Sequence, residues 1–146
     1  MADPKPELRA VDPVWNRIRA DAEAAIRDEP LLGGVVHSSV LHHATLERAL
    51  AYRMSLKLAS DEMSGQLIRE ITDRGYRERP ELGKAARADL MAVLERDPAC
   101  HSLLQPLMFF KGFQAVQAYR VGHWLWQEGE RNLAYFFQMR ISEKFG

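Results

Sequence analysis

The sequence predicts an all-α bundle of about seven to eight short helices. Apolar residues recur every three or four positions through most of the 146 residues, which is the spacing that lines one face of an α-helix. Sustained two-residue alternation is nearly absent, and neither Asn-Gly nor Asp-Gly occurs as a hairpin signal. Proline, glycine and short polar residues interrupt the apolar pattern repeatedly, so each helix is expected to be short.

The first three helices begin at residues that favour helix starts. Asp12 is the predicted N-terminal cap of a helix that runs to about Asp28, with a proline in its first turn. Pro30 opens a second, shorter helix, which the glycine pair at 33–34 weakens. Thr45 caps a third helix, in which leucine or methionine recurs every four residues. The segment 1–11 has no core-forming pattern and is expected to be a flexible arm.

Polar residues and prolines mark the next two helices. Ser60, followed by two acidic residues, is expected to open a fourth helix, because acidic side chains favour the positive end of the helix dipole. Gly75 is expected to stop that helix. Pro80 opens a fifth helix, which is predicted to end before Asp97 because the residue before a proline disfavours the helical region.

The longest apolar stretch, Met108–Trp126, predicts a central helix that is buried on all sides, because apolar residues fall on nearly every face of it. Small residues recur on one of those faces, at Ala115, Ala118 and Gly122, and would let a second helix approach closely. Gly129 is expected to end this central helix.

Two further elements flank the central helix. A short helical turn is expected to about Leu104, before Pro106 breaks the chain. A last helix is predicted from Arg131 to about Lys144, with apolar residues along one side. Together these segments make one helical domain over residues 12–146.

Composition and charge exclude several classes of protein. Lysine and arginine together number 20, and so do aspartate and glutamate, so the net charge is zero and no net field attracts nucleic acid or an anionic membrane. No apolar run reaches the roughly 20 residues of a membrane-spanning helix, and the first residues lack a signal-peptide pattern. A single cysteine excludes an internal disulfide framework. We therefore expect a cytoplasmic protein that binds neither nucleic acid nor a membrane.

Few residues have a pattern that indicates chemistry. Asp97 lies in an Arg-Asp-Pro-Ala string at 96–99, where an aspartate before proline is well explained as a helix cap. Cys100 is either a small core residue or a thiol near a pocket. Lys111 and the glycine after it are a weak signal for phosphate binding at a helix start, and otherwise a turn. None of these patterns establishes a site by itself.

The five histidines show no arrangement suited to metal binding or catalysis. His37, His42 and His43 lack a ligating spacing, and no carboxylate or cysteine completes the set. His101 follows the cysteine, but adjacency in sequence is not a nucleophile–base arrangement. His123 lies in the central helix, where a packed or hydrogen-bonded histidine is the usual finding. We expect structural or surface roles for all five, and no catalytic, metal-binding or cofactor-binding residue in this chain.

Three strings in the central helix resemble the N-terminal helical domain of bacterial serine acetyltransferase, and the resemblance runs from Val14 to Phe145. The strings are Lys111-Gly112-Phe113, Gln117-Ala118-Tyr119-Arg120 and His123-Trp124-Leu125-Trp126. That family makes O-acetylserine from L-serine and acetyl-CoA, the first step of cysteine biosynthesis. The resemblance implies the all-α fold of that N-terminal domain.

The resemblance also implies a role for Asp97, because the family's substrate-binding aspartate lies in a matching string. The carboxylate would hold the ammonium group of L-serine, or of the inhibitor L-cysteine, by a charge-assisted hydrogen bond. The resemblance further implies self-association, since the family forms a hexamer built as a dimer of trimers.

The family's remaining machinery is expected outside these residues. Acetyl-CoA and the catalytic histidines belong to a left-handed β-helix of hexapeptide repeats, and the 146 residues contain no such repeat. We therefore expect a truncated chain that is inactive alone. The C-terminal tail that docks into O-acetylserine sulfhydrylase is also missing, so that enzyme is not an expected partner.

Two alternatives to this function stay open. One is a stand-alone helical protein-interaction module, which the apolar surface of the central helix favours. The other is a nucleic-acid-binding domain, which the balanced charge and the lack of a basic recognition helix disfavour.

Overall fold

The computed structural model describes residues 12–146, and over that range the chain forms α-helices and no strand, which confirms the all-α prediction. The arm predicted for 1–11 lies outside the described residues. Eight α-helices are present in 12–146: α1 (Pro13–Asp28), α2 (Gly33–Val36), α3 (Leu46–Leu58), α4 (Gly65–Glu78), α5 (Glu81–Arg96), α6 (Leu104–Phe109), α7 (Lys111–Gln127) and α8 (Arg131–Phe145). A 3-10 turn (Pro30–Leu32) and a π-helical turn (His37–Leu41) flank α2, so the predicted second helix is one continuous helical segment of three types.

Several predicted caps are confirmed. Asp12 Oδ1 accepts a hydrogen bond from the backbone N–H of Trp15 at 3.2 Å, and Thr45 Oγ1 accepts one from Arg48 N–H at 3.2 Å. These bonds satisfy amides that the first helical turn leaves free. At the other end of α7, Gly129 adopts φ +85°, a conformation that glycine reaches without steric cost. The helix therefore ends there, as predicted.

The boundaries of α4 were predicted wrongly at both ends. Ser60 does not open the helix; its hydroxyl accepts from Glu62 N–H in a loop, and Ser64 Oγ caps α4 instead, accepting from Leu67 N–H at 3.2 Å. Gly75 does not stop the helix, which continues to Glu78. A Cβ atom at Gly75 would lie 3.1 Å from the ring of Trp124. This glycine lets α4 approach α7 rather than ending α4.

Pro106 does not break the chain, because it lies in the first turn of α6. A proline is tolerated there, since the amide it lacks would have no partner within the helix. Phe110 then leaves the helical conformation, with ψ 102°, so α7 starts at Lys111 and not at Met108 as predicted. The prediction of a short helical turn ending near Leu104 is therefore wrong: the short helix α6 begins at Leu104, and the break before α7 lies at Phe110.

The core lies between the inner face of α7 and the helices around it. The side chains of Trp15, Leu46, Trp124 and Phe137 are at most 1% exposed and come from four different helices. The close approach predicted on the small-residue face occurs with α8, because a Cβ on Gly122 would lie 3.6 Å from Phe137 Cβ.

The prediction that the central helix is buried on all sides is wrong. Val116 is 44% exposed, Tyr119 62% and Trp126 38%, so α7 has an outer apolar face that no described residue covers. Its inner face consists of buried residues: Phe113, Ala118, Val121, Trp124 and Leu125. A helix rich in apolar residues all round need not be enclosed by its own chain.

Two arginines connect the helices to each other. Arg87 in α5 donates to Asp12 Oδ2 at 2.7 Å and to Glu47 Oε2 at 2.9 Å, which joins the starts of α1 and α3. Arg140 in α8 donates to the carbonyl oxygens of Leu58 and Ala59, at 2.9 and 2.8 Å, and so caps the C-terminal end of α3.

Among residues 12–146, no helix combines the length and the hydropathy needed to cross a membrane.

Candidate functional site

Asp97 lies at the end of α5, where its backbone leaves the helix. Its N–H still donates to Val93 O at 2.9 Å, but its φ and ψ are −94° and 111°, because Pro98 disfavours the helical region for the residue before it. The sequence suggests an ordinary helix cap. The structure shows that Asp97 closes α5, and that no helix begins at Pro98.

One oxygen of the Asp97 carboxylate fixes the turn that follows. Oδ1 accepts from Ala99 N–H at 2.9 Å, and Asp97 O accepts from Cys100 N–H at 3.0 Å. This is an Asx turn, in which a short side chain replaces a backbone acceptor. The position of the carboxylate is therefore set by the backbone of residues 97–100.

The second carboxylate oxygen, Oδ2, accepts no hydrogen bond from any residue in 12–146. The Asp97 side chain is half-buried at the edge of a shallow, open depression, which is lined by Ala92, Val93, Arg96 and Pro98. No ion pair within the described residues involves Asp97. One oxygen thus builds the turn, and the other remains available as an acceptor for a molecule that enters the depression.

Cys100 belongs to the core, which decides between the two alternatives that the sequence left open. Its side chain is 6% exposed, and its thiol donates to Ser102 O at 3.2 Å. The thiol is therefore not a reactive group on the surface near Asp97.

The histidines are dispersed and do not form a reacting pair. His43 is 4% exposed, and its Nε2 lies 2.9 Å from Ser38 O. Burial lowers the pKa of His43 to about 4, so its imidazole is neutral at pH 7. His123 was expected to have a structural or surface role; it is exposed, and its ring stacks on that of Tyr119 with centroids 6.0 Å apart.

Residues 12–146 contain neither a cluster of side chains suited to a metal ion nor a side-chain cap at the start of α7. No group of three or more histidine, cysteine, aspartate or glutamate side chains in 12–146 is placed to hold a metal ion. Lys111 is the first residue of α7, and Phe110 before it makes no side-chain cap.

The outer face of α7 carries the apolar surface that favoured an interaction module. Val116, Tyr119, His123 and Trp126 lie along it, and a groove of about 270 Å³ runs between it and α8. Small residues and aromatic rings both line the groove, among them Gly122, Ala134 and Tyr135. The signal was the spacing of three, four and three between the exposed residues, which falls on one helix face.

Comparison with known proteins gives a consistent result. The family model described as "Serine acetyltransferase, N-terminal" matches residues 14–118. The serine acetyltransferase of Salmonella typhimurium is 44% identical over 132 residues, which cover 90% of this chain and 48% of that protein. The chain therefore spans about half the length of the curated relatives it matches.

Solved structures give the same picture. The serine acetyltransferase of Neisseria gonorrhoeae, crystallised in complex with serine, is 43% identical with a TM-score of 0.88; the match covers 91% of this chain and 55% of that one. A serine acetyltransferase in complex with cysteine is 39% identical with a TM-score of 0.88, and the match covers 90% of this chain and 51% of that one.

Proposed function

The chain belongs to the serine acetyltransferase family, whose N-terminal region it matches, and on that premise we propose that it is the helical part of a serine O-acetyltransferase. The reaction transfers the acetyl group of acetyl-CoA to the hydroxyl of L-serine and releases CoA. In this proposal the helical part contributes one wall of the amino-acid site and a surface for self-association. Because the chain spans about half of its relatives, the reaction belongs to the longer protein.

The observation that carries this proposal is the state of Asp97. Its Oδ1 is engaged by Ala99 N–H and its Oδ2 has no partner in residues 12–146. An ionised carboxylate that is already held in place can accept a hydrogen bond from the ammonium group of an amino acid without first losing its own freedom. The relatives crystallised with serine and with cysteine contain ligands that carry this group.

In this proposal, residues outside the helical part carry out the acetyl transfer. A general base must take the proton of the serine hydroxyl as it attacks the thioester, and an imidazole is suited to this at neutral pH. None of the five histidines of this chain is proposed for it, because His43 is buried and the others lack a partner arrangement. Acetyl-CoA binding and the base are assigned to the hexapeptide-repeat region that the resemblance implies. By itself, the chain is proposed to bind no cofactor and to have no acetyltransferase activity.

The test fuses residues 1–146 to the hexapeptide-repeat region of a relative and measures serine-dependent release of CoA. Asp97→Asn retains an oxygen that can accept from Ala99 N–H, so it removes the charge and spares the turn. Loss of one hydrogen bond between charged groups corresponds to about 1.5–3 kcal/mol, or roughly 10- to 100-fold in KM for serine. Inhibition by L-cysteine should weaken by a similar factor.

A matched control is Glu95→Gln, which removes an exposed carboxylate two residues earlier in the same helix end. It should leave KM for serine and inhibition by cysteine unchanged. An Asp97→Asn enzyme with the control's kinetics would refute the proposed role of Asp97.

We also propose that the chain self-associates in the assembled enzyme, in the dimer-of-trimers hexamer that the resemblance implies, and that it acts in the cytoplasm without binding nucleic acid or a membrane. The buried single thiol suits a reducing compartment. The alternative of a helical interaction module is supported by the same feature that supports self-association, namely the exposed apolar face of α7.

A further inference from the structure

A hydrogen bond connects the segment that carries Asp97 to the first helix. Asp21 in α1 accepts a hydrogen bond from the backbone N–H of Leu103 through its Oδ2, at 3.0 Å, although the two residues are 82 positions apart in the chain. Residues 97–103 fill the connection between α5 and α6. We call them the Asp97 segment.

The other hydrogen bonds that residues 12–146 give the Asp97 segment are local. They include the Asx turn at Asp97, a bond from the Cys100 thiol to a carbonyl oxygen two residues later, and a bond from His101 N–H to Gln105 Oε1 at 2.7 Å. Each of these joins residues at most four positions apart. They give the segment its internal shape, but they do not place it relative to the rest of the fold.

Apolar contacts hold the segment against the core without fixing its orientation. Cys100 is 6% exposed and Leu103 is 0% exposed, so both side chains are anchored in the core. Burial of apolar surface is non-directional and tolerates a small slide or rotation. A hydrogen bond weakens steeply when its angle changes. The bond to Asp21 is therefore the directional contact between the segment and α1.

The carboxylate of Asp21 has no competing partner in residues 12–146. No ion pair within that range involves it, and Leu103 N–H is the donor that it binds there. Because Leu103 is fully buried, its N–H would lose this acceptor without Asp21, and a buried N–H without an acceptor is costly. In the described chain, the side chain of Asp21 thus serves to hold this one amide.

We propose that Asp21 is a positioning residue for the amino-acid site: through Leu103 N–H it fixes the Asp97 segment on α1, and so presents Oδ2 of Asp97 to the ammonium group of the substrate. This inference rests on the role of Asp97 put forward under the proposed function. Asp21 does not touch the substrate. It reduces the freedom that the Asp97 segment would otherwise lose when the amino acid binds.

The first experiment measures amide hydrogen exchange in the 146-residue chain by NMR. The reporter is the N–H of Cys100, which donates to Asp97 O at 3.0 Å. In Asp21→Ala it should exchange roughly tenfold faster, because the segment opens without unfolding of the whole chain. Thr45→Ala is the matched control, since it also removes a side-chain acceptor from a helix start, but at α3. The control should leave exchange at Cys100 unchanged, and equal exchange in Asp21→Ala and the wild type would overturn the inference.

The second experiment measures serine kinetics in the fused enzyme described above. Asp21→Ala should raise KM for serine roughly 5- to 30-fold, the factor that corresponds to ordering the backbone of one residue. The value of kcat should change by less than about twofold, because bound substrate orders the segment in both proteins. Asp21→Asn keeps an oxygen that can accept from Leu103 N–H, so it should restore most of the affinity. Thr45→Ala should leave KM unchanged.

A double-mutant cycle shows whether Asp21 acts through Asp97. In the Asp97→Asn background, Asp21→Ala should raise KM by less than about twofold, because the charge that it positions is absent. A purely structural role elsewhere in the fold would give the same factor in both backgrounds. If Asp21→Ala does not fold, Asp21→Ser takes its place, because its hydroxyl oxygen is one bond closer to the backbone and falls short of Leu103.

The outcomes separate this inference from the proposed function. If Asp97→Asn raises KM and Asp21→Ala does not, or if the factors of the two substitutions multiply, the positioning role is overturned and the role of Asp97 stands. If Asp97→Asn leaves KM unchanged, the role of Asp97 fails and the positioning role fails with it. An increase in KM with Asp21→Ala that disappears in the Asp97→Asn background supports both.

Discussion

The burial of His43 predicts that the fold loses stability in mild acid. The pKa of this imidazole falls from 6.5 to about 4 on folding, mainly because burial disfavours its charged form, and partly because Arg69 and His42 lie near. The hydrogen bond to Ser38 O acts in the opposite direction and raises the pKa of His43. Between those two pKa values the unfolded chain binds a proton that the folded chain does not, so stability is present above pH 6.5 and is lost as the pH falls towards 4.

The magnitude follows from the two pKa values. A difference of about 2.5 in pKa corresponds to about 3 kcal/mol at full effect, and about 2 kcal/mol of it is lost between pH 7 and pH 5. The titration of Asp12 does not contribute to this loss of stability between pH 7 and pH 5. Burial would raise the pKa of Asp12, but the hydrogen bonds from Arg87 and Trp15 N–H outweigh it and place the pKa below 3.8.

The assay compares urea unfolding of the wild-type chain and of His43→Gln at pH 7 and pH 5. Glutamine does not titrate, and its amide N–H can donate to Ser38 O in place of the imidazole. The variant loses the ring contact with Tyr52, whose centroid lies 5.1 Å from that of His43, so it should be less stable at pH 7. Its stability should fall by about 2 kcal/mol less than that of the wild type between the two pH values. Equal losses in the two proteins would refute the assignment of the pH dependence to His43.

Two further perturbations test how the helices are joined. Arg87→Met leaves the carboxylates of Asp12 and Glu47 near each other without a cation, and should cost about 2 kcal/mol in urea unfolding; unchanged stability would show that the cluster contributes nothing net. Gly75→Ala places a Cβ 3.1 Å from the ring of Trp124, which is 1% exposed and packed in the core, so the substitution should destabilise the fold by about 1–3 kcal/mol. Gly34→Ala is its control: nothing lies within 4 Å of the added Cβ, and the melting temperature should rise, because alanine favours the helix by about 0.5–1 kcal/mol. A Gly75→Ala chain as stable as its control would contradict the tight packing of α4 on α7.

Much of the fold could be predicted because helix starts are encoded locally. Asp12 and Thr45 cap the helices that the sequence assigns to them, since a cap requires only the side chain and the amide three residues later. The errors concern residues with two possible roles. A glycine can end a helix or let a neighbouring helix pack closely. The sequence near Gly75 favours a helix end, because Trp124, the residue that packs against Gly75, lies 49 residues later and is not part of the local pattern.

The candidate site was predictable only in part, for a related reason. The Arg-Asp-Pro-Ala string predicts a helix cap at Asp97, whereas the structure has an Asx turn there and no helix begins at Pro98. Whether the carboxylate has a free oxygen depends on which residues of other helices lie nearby, and the string does not contain that information. The depression beside Asp97 likewise depends on how the other helices pack, because that packing leaves the lining residues Ala92, Val93 and Arg96 accessible at the end of α5.

The central helix shows why counting apolar residues does not locate a partner. Gln117 is polar but 1% exposed, because Asp89 accepts a hydrogen bond from its amide at 2.8 Å, whereas Tyr119, two residues later, is 62% exposed. A single exposed apolar side chain such as Leu31 needs no explanation, since most of a protein surface is apolar. Four residues at coiled-coil spacing are different, because they form one continuous face that the rest of the described chain does not use. The inner face of α7 is explained by contacts within this chain, and the outer face is one that no described residue covers.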